Sequence, residues 1–83
     1  MKLARYTKYR EEKFGGVLFE TRAEKVFALN PTGAAIVREI GGGCDEAALI
    51  ERLKVRFNDS SGALERESRD FIAGLRKQGL LED

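Results

Sequence analysis

With 83 residues, of which 15 are basic and 14 acidic, the chain has room for one thin-cored domain, and it lacks the dense positive charge of a nucleic-acid-coating protein. Histidine is absent and Cys44 is the single cysteine, which excludes a disulfide framework, a Cys/His zinc site, a Ser-His-Asp triad and a cysteine-held iron–sulfur cluster. No apolar run approaches the roughly 20 residues of a membrane span, and the basic residues from Lys2 to Lys13 have no signal-peptide core behind them. The expectation is one domain over residues 1–83, in the cytoplasm where a lone thiol stays reduced, with no catalytic residues, metal or cofactor of its own.

In chain order, Tyr6–Arg10 has the β-prone aromatics and threonine of an exposed edge strand. Gly15-Gly16 is read as a break, followed by a strong short strand over Val17–Thr21. Arg22-Ala23-Glu24 connects this to a third strand, Lys25–Leu29, as an antiparallel hairpin. Alternation puts Val17 and Phe19 on one face of the second strand, and Phe27 and Leu29 on one face of the third.

After Asn30 the apolar period lengthens from two residues to about 3.6. Asn30 is a helix N-cap and Pro31 suits the first helical position, where a missing N–H costs nothing. Ile36, Val37 and Ile40 form the buried face, and Gly41-Gly42-Gly43 ends the helix. Asp45 caps a second helix whose stripe is Leu49, Ile50, Leu53 and Phe57. After a loop over Asn58–Gly62, Ser60 or Ser61 is the cap of a third helix, which carries Leu64, Phe71, Ile72 and Leu75. Gly79 stops it at the C′ position, leaving Leu80 and Leu81 to fold back on the core. The order β-β-β-α-α-α predicts a winged-helix-like α+β domain, a three-stranded antiparallel sheet followed by three helices.

The segment Phe14-Gly15-Gly16-Val17-Leu18-Phe19, a short polar turn, and then Val26-Phe27-Ala28-Leu29-Asn30-Pro31-Thr32-Gly33 carry a resemblance, together with Ile40-Gly41-Gly42-Gly43 and the ending Gly79-Leu80-Leu81. This pattern resembles the PqqD-like family, the recognition elements for ribosomally synthesised, post-translationally modified precursor peptides. The resemblance covers nearly the whole chain. It implies a peptide chaperone that binds the leader of a precursor peptide and presents it to a maturation enzyme, commonly a radical SAM enzyme with an auxiliary-cluster (SPASM) domain. The iron–sulfur chemistry would belong to that partner, and no nucleic acid or membrane would be involved. The chain would act as a monomer or a dimer.

Two elements are candidate walls of a peptide site. If the third strand, Lys25, Val26, Phe27, Ala28 and Leu29, lies at the sheet edge, its free N–H and C=O groups can add a peptide as a fourth strand. The alternative is that Phe27 and Leu29 are plain core and a helix covers the edge. On the third helix, Leu64, Ser68, Phe71 and Leu75 are read as the buried stripe. Arg69, Ile72 and Arg76 lie one step round it, an apolar centre between two guanidinium groups suited to a leader with acidic neighbours. An Ile72→Asp change would then abolish binding and leave the fold intact. The competing reading makes Arg69 and Arg76 a solvated face paired with Glu65, Asp70 or Glu82.

Cys44 is either a reactive thiol at a helix N-terminus or an ordinary small residue. Two other functions fit the same architecture. One is a winged-helix DNA-binding module using Arg52, Lys54 and Arg56, although Glu46 and Glu51 dilute that helix. The other is a subunit that docks an enzyme without touching any peptide.

Overall fold

A computed structural model describes residues 1–58 and 62–82. Strands β1 (Lys2–Leu3), β2 (Thr7–Glu12), β3 (Gly15–Glu20) and β4 (Lys25–Leu29) come first. Helices α1 (Pro31–Gly41), α2 (Glu46–Phe57) and α3 (Ala63–Lys77) follow, and a short strand β5 (Leu81–Glu82) comes last. The main sheet is antiparallel in the order β2-β3-β4, and β1 pairs with β5 in a separate two-stranded ribbon. This is the α+β arrangement expected, a three-stranded antiparallel sheet followed by three helices, with the terminal ribbon added.

The hairpins differ from expectation at their edges. The first strand runs Thr7–Glu12, and Gly15-Gly16 opens β3 instead of interrupting the sheet, so the turn falls at Lys13-Phe14. The reason is a close approach: at Gly15 (φ +145°) a side chain would run into the Leu29 carbonyl, and at Gly16 into the Tyr9 ring. Glycine here brings the start of β3 against the end of β4, where Gly16 pairs with Leu29.

Register then fixes the faces. Leu18 pairs with Phe27, so Leu18, Phe27 and Leu29 face the helices, and Leu18 is fully buried. Val17 and Phe19 pair with Ala28 and Val26 on the opposite face, where the Arg10 guanidinium lies 5.2 Å from the Phe19 ring centroid. At the β3–β4 turn the Glu20 carboxylate accepts the Ala23 N–H at 2.6 Å, and its pKa is held below the usual carboxylate range, chiefly by that bond.

The first two helix starts follow their caps. Asn30 Oδ1 accepts the Gly33 N–H at 2.8 Å with Pro31 in the first turn, and Asp45 Oδ1 accepts the Ala48 N–H at 2.7 Å. The cap of α3 is Gly62, with no side-chain bond; Ser60 and Ser61 lie outside the described residues. At the other end of α3, Gly79 (φ +77°) donates to the Arg76 carbonyl and Leu80 to the Leu75 carbonyl, a Schellman closure that turns Leu80 into the core.

One core joins Leu18 and Leu29 of the sheet to Ile36, Val37 and Ile40 of α1, Leu49, Ile50 and Leu53 of α2, and Leu64, Ile72 and Leu75 of α3. Phe57, expected in the α2 stripe, is 39% exposed at the end of its helix.

Candidate peptide-binding site

β4 has a ladder partner on one side only, because the sheet order ends with it. Its free edge faces a groove of about 290 Å³ whose other wall is the C-terminal half of α3. The groove is lined by Phe27, Ala28 and Leu29 from the strand, and by Phe71, Gly74, Leu75, Gln78 and Leu80. A smaller hollow continues it past Phe71, where Asn30, Thr32, Gly33, Ile36 and Glu67 meet. Phe71 therefore stands between the two. Gly33 makes room for it: a side chain there would press on the Phe71 ring at 3.3 Å.

The strand residues of the expected site lie along the sheet edge. Val26 is 64% exposed, Lys25 and Ala28 are exposed, and Phe27 is half-buried, facing the groove. Both readings of this strand hold in part: β4 ends the sheet, while Leu29 is buried in the core and Phe27 packs against it.

The helix half is different. Ile72 is fully buried, at 0% exposure, and belongs to the core and not to a surface pocket. Arg69 and Arg76 point to the other side of α3 from the groove. Both bind Glu46 on α2, Arg69 Nη1 at 2.5 Å from Oε2 and Arg76 Nη1 at 3.3 Å from Oε1, and Arg69 Nε also reaches Glu65 at 3.4 Å. The cause is angular. At about 100° per residue, Phe71, Gly74, Leu75 and Gln78 span one face, while Arg69 and Arg76 fall roughly 150° round from it. The solvated, ion-paired reading of these two arginines thus holds, with Glu46 as the carboxylate they share. The residues that line the groove in their place are Phe71, Gly74, Leu75, Gln78 and Leu80. Of these, Gly74 gave a legible signal, a glycine inside an amphipathic helix.

The remaining charges tie helices together. Lys54 Nζ lies 2.9 Å from Glu65 Oε1 and 3.6 Å from Glu51. The first bond holds the Glu65 pKa below, and the Lys54 pKa above, their ordinary values. Arg52 pairs with Glu39 at 3.0 Å. Cys44 is half-buried, its thiol donates to the Glu39 carbonyl at 3.3 Å, and burial pushes its pKa up, so it is an ordinary packed thiol and not an activated one. Among the described residues no group of His, Cys, Asp and Glu side chains is placed to hold a metal, and no helix is long and apolar enough to cross a membrane.

Two solved structures share this fold over almost all of both chains. One is described as TbiB1 in complex with the TbiA(beta) leader peptide; it has a TM-score of 0.87 at 22% identity and covers 99% of this chain and 95% of that one. The other is a lasso peptide synthetase B1 complexed with the leader peptide; it has a TM-score of 0.82 at 22% identity, with 99% and 96% covered. At that identity the likeness is one of fold. No curated protein matches the sequence. The family model for the coenzyme PQQ synthesis protein D (PqqD) matches residues 15–81, from the glycine pair that opens β3 to the first residue of β5. The chain belongs to the PqqD family.

Proposed function

We propose that this chain binds the leader segment of a ribosomally made precursor peptide as an added strand on β4 and presents it to the enzyme that modifies the precursor. The observation that carries this is the unpaired β4 edge lying along an apolar groove, in a PqqD-family chain whose fold neighbours are described as holding leader peptides. An extended peptide hydrogen-bonded to β4 would turn alternate side chains into the groove against Phe27, Phe71 and Leu75, and the others outward beside Val26 and Ala28. Each main-chain bond would contribute about 0.5–1.5 kcal/mol net of water. Ordering a disordered leader offsets part of that, so the expected affinity is micromolar to high nanomolar, a Kd of about 10⁻⁵–10⁻⁷ M.

In this reading the chain is not a catalyst. The modification chemistry belongs to the partner, for which a radical SAM enzyme with an auxiliary-cluster domain is the class implied by the family resemblance. The DNA-binding alternative is weakened by α2, where Arg52 and Lys54 are already paired with carboxylates. The test is amide shift mapping of the labelled chain with a synthetic leader taken from a short open reading frame beside its gene. Shifts confined to residues 25–29 and 71–78 are expected. Shifts confined to β2 and α2 would overturn the site, and saturable, steeply salt-dependent binding to duplex DNA with no response to leader would overturn the function.

A further inference from the structure

We infer that Gly74 selects the side chain the groove accepts, its missing side chain leaving a seat for one large apolar anchor, aromatic by preference, on the bound peptide. The inference rests on the peptide-binding reading above and deepens it.

Gly74 stands inside α3, three residues before its last, where glycine is the least favourable residue after proline. Nothing in the fold requires it. It is absent from the positive-φ positions, which are Gly15, Gly43, Gly62 and Gly79 among the glycines, and a side chain built there meets nothing within 4 Å. Gly15 and Gly33 are different, since each has a neighbour that a side chain would strike or crowd. The helix thus gives up stability at a position where packing has no use for glycine.

What the position does have is the middle of the groove wall, one turn after Phe71 and one turn before Gln78, across from Phe27 and Leu29. A strand added to β4 sends every second side chain into this space. Two aromatic rings, Phe27 and Phe71, line it, and rings gain from edge or offset contact with a third. A methyl at position 74 would narrow the seat, and a leucine would fill it.

The probe is a displayed library of random extended decapeptides, selected in parallel on the wild-type chain and on Gly74→Ala, Gly74→Leu and Ala73→Leu. Ala73 is exposed on the same helix but lies outside the groove. Selection on the wild type and on Ala73→Leu should enrich Phe, Tyr or Trp at one fixed position. Gly74→Leu should bind the selected peptide more than fivefold more weakly, Gly74→Ala should enrich smaller anchors, and both should melt no lower than the wild type because each is the better helix former. A loss below fivefold in Gly74→Leu, or an equal loss in Ala73→Leu, overturns the role of Gly74 and leaves strand addition standing. If the wild type enriches no peptide, peptide capture itself fails and the inference falls with it.

Discussion

Ser68 is fully buried in α3, and its hydroxyl finds no hydrogen-bond partner among the described residues. A buried hydroxyl without a partner loses its water and gains nothing in exchange, so Ser68→Ala should stabilise the fold by about 1 kcal/mol, helped by alanine's helix propensity. In a domain this small that shifts a thermal midpoint upward by several degrees; a midpoint at or below the wild-type value would mean that the hydroxyl is satisfied in solution. Gly15 has the opposite sign. Its positive φ and its approach to the Leu29 carbonyl leave no space for a methyl, so Gly15→Ala should cost more than about 2 kcal/mol, seen as an early melt. Ile72→Asp places a carboxylate in the core and should unfold the chain outright, which a circular dichroism spectrum at 20 °C would reveal.

At the scale of elements, how much could be read from the residues depended on whether the cause was local. Asn30-Pro31 and Asp45 announce their helices because a cap acts within three residues, and Gly79 announces a stop for the same reason. Gly15-Gly16 misleads because its causes lie elsewhere in the chain, the Leu29 carbonyl for Gly15 and the Tyr9 ring for Gly16, which no local pattern contains. The third helix fails in a related way. Phe71 and Ile72 are adjacent and both apolar, about 100° apart, so periodicity marks the stripe without saying which edge of it is core. Packing sends Ile72 inward and leaves Phe71 as a groove wall. Arg69 and Arg76 were legible as one face, but the carboxylate they share sits on another helix. Since these pairs are solvent-exposed, Glu46→Ala should change stability by less than about 1 kcal/mol and leave leader affinity unaltered, measured by melting and by titration calorimetry. A leader affinity that falls with that substitution would return Arg69 and Arg76 to the peptide site.

For the whole molecule, stability should depend on pH in one direction only across the acid range. The chain has no histidine, so its side chains offer no ordinary titration between about pH 5 and 7 and its melting temperature should be flat there. Two carboxylates, Glu65 and Glu20, are held below their ordinary range. Glu65 is held low first by its bond to Lys54, which joins α3 to α2, and Glu20 first by the Ala23 N–H, which closes the β3–β4 turn. In both the folded pKa lies under the unfolded one, so the folded state binds fewer protons. Their contribution is whole above the ordinary carboxylate range and disappears as pH falls through the depressed folded values. Lys54 has the reverse sign, its contribution intact below the ordinary lysine pKa and lost only as strongly alkaline pH passes its raised one. Melting curves from pH 7 down to pH 3 should therefore stay level and then drop below about pH 4.5, and Glu65→Gln should shrink the drop by removing one of the two depressed carboxylates. An equal acid drop in Glu65→Gln would leave the Lys54–Glu65 bridge without a share in holding α2 against α3, the helix that walls the groove.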